Sequence, residues 1–159
     1  MNIRPSTAQD AEFLKRMLYE AARWNPDWPR EPIEEVIDDP TFRRYHEGWG
    51  REGDSGVIAE IEGEPVGAAW YRTFSGDEPG FGFVDEKTPE LSIAVVPLHR
   101  RKGIGGTLLR AALVQAREEG HQALSLSVAV HNRSRMLYQR VGFEKVGEHG
   151  DHWTMLANL

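Results

Sequence analysis

The segment His99–Leu109, HRRKGIGGTLL, constrains this chain more than any other. Before it runs ELSIAVV, Glu90–Val96, a mostly apolar stretch that reads as a strand buried on both faces. After it, from about Gly105, come Leu108, Leu109, Ala112, Leu113 and Ala116, spaced as one face of a helix that Gly120 can terminate. A strand, a basic glycine-rich bend and a helix start form an anion site for physical reasons. The first helical turn has N–H groups with no partner, and the helix dipole adds partial positive charge there. Gly103, Gly105 and Gly106 let backbone approach a ligand closely and take positive φ, so that successive N–H groups form a nest. Arg100, Arg101 and Lys102 add charge, and arginine adds a planar fork of donors.

Spacing narrows the anion. A nucleotide P-loop needs GxxxxGK[ST], and no lysine followed by Ser or Thr comes after these glycines. A dinucleotide fingerprint, GxGxxG, needs glycine where Leu108 stands, and PLHRRK is a long lead-in for its tight turn. The remaining pattern is R/Q-x-x-G-x-G/A, which Arg100, Gly103 and Gly105 satisfy.

The rest of the chain reads as mixed α/β. Ile3 and Arg4 suit a short first strand, Pro5–Thr7 a capping turn, and Phe13, Leu14, Met17, Leu18, Ala21 and Ala22 a first helix. WNPDWPRE breaks the chain before a second helix, PIEEVID, which Pro40 interrupts; TFRRYHEGWG continues as a short helix ending at Gly48. Val57–Ile61 and the strand from Val66 form a hairpin around EGEP. Thr73–Pro89, rich in glycine, proline and acids, is either a lid or an irregular hairpin. Ala123–Val128 is a strand, Asn132 caps a helix RSRMLYQRV that stops at Gly142, and the last residues form two strands turning near Gly150.

With 159 residues the chain suits one domain, 1–159, with a core of its own. No apolar run is long enough to span a membrane, and MNIRPSTAQD lacks the apolar region of a secretory signal, so the expected location is the cytoplasm. Cysteine is absent, which excludes disulfides, thiolate metal sites and a cysteine nucleophile. A net charge of −6 argues against general nucleic-acid binding. That charge is uneven: acids dominate from Asp27 to Glu64, whereas between Pro97 and Arg117 five bases meet no acid.

A second motif lies downstream, HNRSRMLYQRVGF, in which Asn132, Leu137, Tyr138, Gly142 and Phe143 fit N-x-x-A/S-x-x-L-Y-x-x-x-G-F. Ser134 stands one place ahead of the usual small residue, and Arg135 takes that slot. With SIAVVPLHRRKGIGGTLL upstream, the chain resembles the GNAT superfamily of N-acetyltransferases, strongly over Glu90–Phe143 and by element order elsewhere. Residues Pro26–Gly53 carry no family signature. The resemblance implies an acyl-CoA N-acyltransferase fold, with a central, mostly antiparallel sheet splayed in the middle and flanked by helices.

It also implies acetyl-CoA as co-substrate, direct transfer to a primary amine in a ternary complex, and no metal. Backbone from Arg101 through Lys102, Gly103, Ile104 and Gly105 to Gly106, with the Arg100 side chain, is expected to hold pyrophosphate. Ile93, Ala94 and Val95 match the strand whose backbone faces the cofactor; an N–H there, that of Val95, is placed to stabilise an oxyanion. Asn132 belongs to the same cofactor-binding set. Tyr138 matches the family's general acid, with packing on its helix as the structural alternative. Glu90 is the base, an attractor for an ammonium group, or a solvent-facing strand end.

The acceptor is an amine of a small molecule, peptide or protein; nucleic acid and membrane are not expected partners, and a homodimer is expected from the relatives alone. A non-catalytic CoA- or nucleotide-binding sensor of the same fold is the alternative. Trp24, Trp28, Trp49, Trp70, Tyr45 and Tyr71 line an acceptor pocket or fill core, and Asp77, Glu78, Asp85 and Glu86 are candidates for recruiting a cationic amine. His99 and His131 flank the two motifs, and HxxH at His149 and His152 lacks a third ligand.

Overall fold

The computed structural model describes residues 1–159. Its strands are β1 (Asn2–Pro5), β2 (Ser55–Ile61), β3 (Glu64–Arg72), β4 (Glu90–Val95), β5 (Ala123–Ala129), β6 (Glu144–His149) and β7 (His152–Asn158). Its helices are α1 (Ala11–Ala22), α2 (Ile33–Ile37), α3 (Pro40–Arg43), α4 (Ile104–Glu118) and α5 (Ser134–Arg140). The strands form one sheet in the order β1-β2-β3-β4-β5-β7-β6, antiparallel throughout except where β4 runs parallel to β5.

Local chemistry accounts for the element ends. Thr7 and Asp10 form a capping box, the Thr7 hydroxyl accepting from Gln9 N–H and the Asp10 carboxylate from Thr7 N–H, before the chain enters α1. Pro40 opens α3 rather than interrupting a helix, because proline suits a first turn and Asp39 caps Thr41 N–H. The helix expected to reach Gly48 ends at Arg43, and hydrogen-bonded turns carry the chain on to Gly50. Gly142 and Gly150 take positive φ at the end of α5 and in the last hairpin turn.

Strand alternation sorts side chains onto two cores. Val57, Ala59, Ala69, Tyr71, Leu91, Leu124 and Leu126 face α4 and α5. Ile58, Ala68 and Trp70 face α1, α2 and the turns after α3. Covered on both sides, these strands are apolar at successive positions. β4 departs from that expectation: only Glu90 and Leu91 are buried in it, and Ser92–Val95 are half-buried.

The reason is a divergence between neighbouring strands. β4 and β5 share a single register pair, Glu90 with Ser125, and beyond it they diverge. On its other side β4 remains paired with β3 as far as Val95. Val96 N–H donates to the Val66 carbonyl of β3 at 2.8 Å, so by strand alternation the N–H groups of Ile93 and Val95 point the other way, toward the gap beside β5.

Candidate active site

Three features of the half of the fold that begins at this divergence bear on chemistry. The first is the bend between β4 and α4. Arg101 and Gly103 both have positive φ, +63° and +81°, and Gly103 is the N-terminal cap of α4. The first hydrogen bond of the helix is Thr107 N–H to the Gly103 carbonyl, at 3.2 Å. From Arg101 through Gly106, no backbone N–H finds an acceptor anywhere in the chain. Six consecutive free donors at the dipole-positive end of a fifteen-residue helix fit a multiply charged anion such as a pyrophosphate. Arg101, Lys102 and Gly103 are exposed there, and Gly103 has open space where a Cβ would stand.

The Arg100 side chain is directed elsewhere. Its Nε donates to the Val95 carbonyl at 3.0 Å and its Nη2 to Glu20 Oε1 of α1, also at 3.0 Å. Arg100 thus ties the end of β4 to α1, and the backbone rather than this guanidinium presents donors at the bend.

The second feature is Glu90, at the root of the gap. It is buried, which removes the solvent-facing alternative. Oε2 accepts from the Tyr45 hydroxyl at 2.6 Å, and Oε1 from Gly82 N–H at 3.0 Å. Burial pushes the carboxyl up to about 7, with both hydrogen bonds opposing the shift. A carboxylate poised there exchanges protons at neutral pH.

The third is Tyr138 on α5. It is buried, its ring lying edge-on to Phe143 with centroids 6.1 Å apart. Burial pushes the phenol up to about 12, opposed by the Ser134 hydroxyl one helical turn earlier, so it stays protonated at neutral pH. Asn132 Oδ1 accepts from Ser134 N–H at 2.9 Å and sets the start of α5.

The aromatic candidates separate. Trp70 and Tyr71 are core, and the Tyr71 hydroxyl donates to Glu119. Trp49 donates to the Thr7 carbonyl at 3.0 Å, and Trp24 and Trp28 pack on each other at 5.1 Å between α1 and α2. Tyr45 alone touches Glu90.

The 73–89 connection is a cover. Gly80 and Gly82 are buried; a Cβ on Gly82 would collide with the backbone of Leu126 and Ser127, which places the loop directly on β5. Asp85 and Glu86 accept from the loop's own N–H groups at Lys87, Thr88 and Gly76, whereas Asp77 and Glu78 are exposed. His149 and His152 pair across the last hairpin turn, both exposed, and His152 stacks on Phe81 of the loop. His99 and His131 stay outside the cluster's hydrogen bonds, and Nδ1 of His99 is buried without a partner.

Comparison with known proteins decides the family. The Acetyltransferase (GNAT) family profile matches residues 15–143. The chain belongs to the GNAT acetyltransferase family. Among curated relatives, this GNAT chain is 38% identical over 92 residues to the uncharacterized N-acetyltransferase YhfO of Bacillus subtilis (strain 168), covering 56% of this chain and 58% of that one. It spans less than two thirds of the length of each curated relative it matches. Among solved structures, ribosomal-protein-alanine N-acetyltransferase from Brucella melitensis is 26% identical, with a TM-score of 0.70 and 100% of both chains covered. PaiA N-acetyltransferase from Thermoplasma acidophilum, in complex with coenzyme A, shares the GNAT fold at 19% identity, with a TM-score of 0.72 and 100% of both chains covered.

Proposed function

We propose that this chain is an N-acetyltransferase that moves acetyl from acetyl-CoA directly to a primary amine in a ternary complex. The observation that carries the reading is the run of six free N–H groups, Arg101–Gly106, at the mouth of the β4–β5 gap, with Glu90 and Tyr138 as proton acceptor and donor nearby in the fold. The Thermoplasma protein of the same fold is described with coenzyme A bound, which supports the choice of cofactor. When bound, acetyl-CoA supplies an activated acyl group as a thioester.

In this reading the N–H groups of residues 101–106 hold the pyrophosphate and the Val95 N–H, turned into the gap, donates to the acyl oxygen as charge develops. Glu90 takes the proton that the ammonium form of the acceptor must lose. Tyr138 keeps its proton at neutral pH, gives it to the sulfur as the carbon–sulfur bond breaks, and is restored by the second proton that the acceptor nitrogen sheds as the amide forms. With no cysteine in the chain, a covalent thioester relay through the protein is unavailable to the reaction, which supports direct transfer.

The acceptor is an amine of a small molecule or of a protein; the Brucella relative is named for alanine on a ribosomal protein. The test is release of free thiol from acetyl-CoA across a panel of amines and peptide N-termini. Amine-dependent release supports transfer; binding of acetyl-CoA without release across the panel favours a non-catalytic sensor.

A further inference from the structure

Residues 44–54, which no motif marks, reach Glu90 through Tyr45. We propose that Tyr45 is a positioning residue for this carboxylate: its hydroxyl fixes the carboxylate's orientation by donating to one of its oxygens, and Arg72 with Asp54 hold Tyr45 in place. The proposal rests on the reading of Glu90 as the proton acceptor.

The Tyr45 oxygen is held on both sides. It donates to Glu90 Oε2 at 2.6 Å and accepts from Phe81 N–H at 2.6 Å, while Gly82 N–H holds Oε1. Each carboxylate oxygen therefore has one donor and a fixed direction. The ring is only 4% exposed and packs on Phe74 and Phe81, with centroids 5.0 and 6.2 Å away.

The backbone around Tyr45 is clamped as well. Arg72 Nη1 donates to the carbonyls of Arg44 and Glu47, at 3.0 and 2.9 Å, on either side of Tyr45. Arg72 is itself gripped by Asp54 through two bonds of 2.9 and 2.6 Å, and both side chains are buried. Arg44 Nη1 reaches the Pro79 carbonyl at 2.6 Å and fixes the loop just ahead of Gly80. A Cβ at Gly80 would collide with Glu90 and with the Tyr45 hydroxyl, so this fit requires glycine there.

The charges around Glu90 leave Tyr45 as its one side-chain donor. Arg72 is its register partner on β3, but the guanidinium is committed to Asp54 and the two carbonyls. β5 offers Ser125, which does not titrate in this range, and His152 of β7 meets only the Phe81 ring. α1 buries the apolar Leu14, Met17 and Leu18, while its Glu20 pairs with Arg30 and Arg100. Burial and the adjacent carboxylate push the Tyr45 phenol well above its ordinary range, so it remains a donor throughout the titration of Glu90.

The test follows the Glu90 carboxyl directly, independent of any acceptor. Protein labelled with carbon-13 at glutamate carboxyls is titrated by NMR, the Glu90 resonance being assigned by its loss in Glu90→Gln. In the unsubstituted protein the midpoint is expected near 7. Tyr45→Phe, which keeps the ring, is expected to raise it by about one pH unit or more, the effect of removing a hydrogen bond to a charged group. Phe74→Leu, which alters packing on the same ring, leaves the midpoint in place. If Tyr45→Phe does not fold, global incorporation of a fluorinated tyrosine gives a stronger donor in the intact fold and lowers the midpoint. A midpoint unmoved in the variant that folds overturns the proposal. A Glu90 titration that responds as stated in a protein without amine-dependent thiol release supports the coupling to Tyr45 and counts against acetyl transfer alone.

Discussion

Glu90 and Ser125 form the only register pair between β4 and β5, and the Val95 N–H and the glycine bend follow along the chain from the point where that pairing ends. The same pair places Glu90 on a covered face of the sheet, where its charge has a cost. That cost has a sign that can be measured. Folding raises the Glu90 carboxyl from 4.5 to about 7, so the folded state binds the proton more tightly and stability falls as pH rises between those values. Glu90→Gln, uncharged at every pH, should gain about 2.5 kcal/mol on the native protein between pH 5 and pH 8. Denaturant melts of both proteins at the two pH values check it; equal pH dependence would show that Glu90 ionises normally.

On the proposed role of Tyr138 as the donor to the departing thiol, Tyr138→Phe should lower kcat by roughly 10²-fold and leave the acetyl-CoA KM unchanged. The ring's contact with Phe143 survives the change, so thermal stability should hold. Steady-state kinetics with a thiol reagent separate these effects, and an unchanged kcat would leave Tyr138 as packing alone.

These two side chains differ in how far the sequence reveals them. The glycine bend and Tyr138 lie inside contiguous motifs whose chemistry is local: unpaired N–H groups at a helix start, and a tyrosine on a short helix. The capping box at Thr7 and Asp10 is local too, although the sequence marks only its capping turn. Tyr45 is 45 residues from Glu90, in a segment without periodicity or motif, and only the β3–β4 register and the loop over β5 bring the two together. Arg100 shows the reverse case. Its spacing from Gly103 marks the motif, but its guanidinium is taken by Glu20, 80 residues away, and no local pattern encodes that pairing. Tryptophans present the same difficulty, since burial on a particular sheet face, as for Trp70, depends on which helices cover it.

Glu20 therefore competes for Arg100. Glu20→Gln weakens that tie and frees positive charge beside the anion-binding bend, and it should tighten acetyl-CoA binding about two- to threefold at low salt, a modest gain in keeping with a partly exposed ion pair. Arg100→Ala should raise the acetyl-CoA KM with little change in kcat. Calorimetric titration of Glu20→Gln and steady-state kinetics of Arg100→Ala check the pair; a KM unaltered by Arg100→Ala would confine that residue to holding β4 against α1.

Gly103 is needed for its backbone. At φ +81° an alanine is strained, although nothing within 4 Å would obstruct its Cβ. Gly103→Ala should cost about 1–2 kcal/mol of stability and weaken acetyl-CoA binding by turning the neighbouring N–H groups away from their common focus. Paired thermal and binding measurements distinguish the two effects, and retained affinity would show that the bend tolerates another geometry.

The most direct measurement is an amide NMR titration of the protein with coenzyme A. The N–H resonances of Arg101–Gly106 are expected to move together and to a common saturation, as six free donors acquire an acceptor. Resonances that stay in place there while others shift would contradict it.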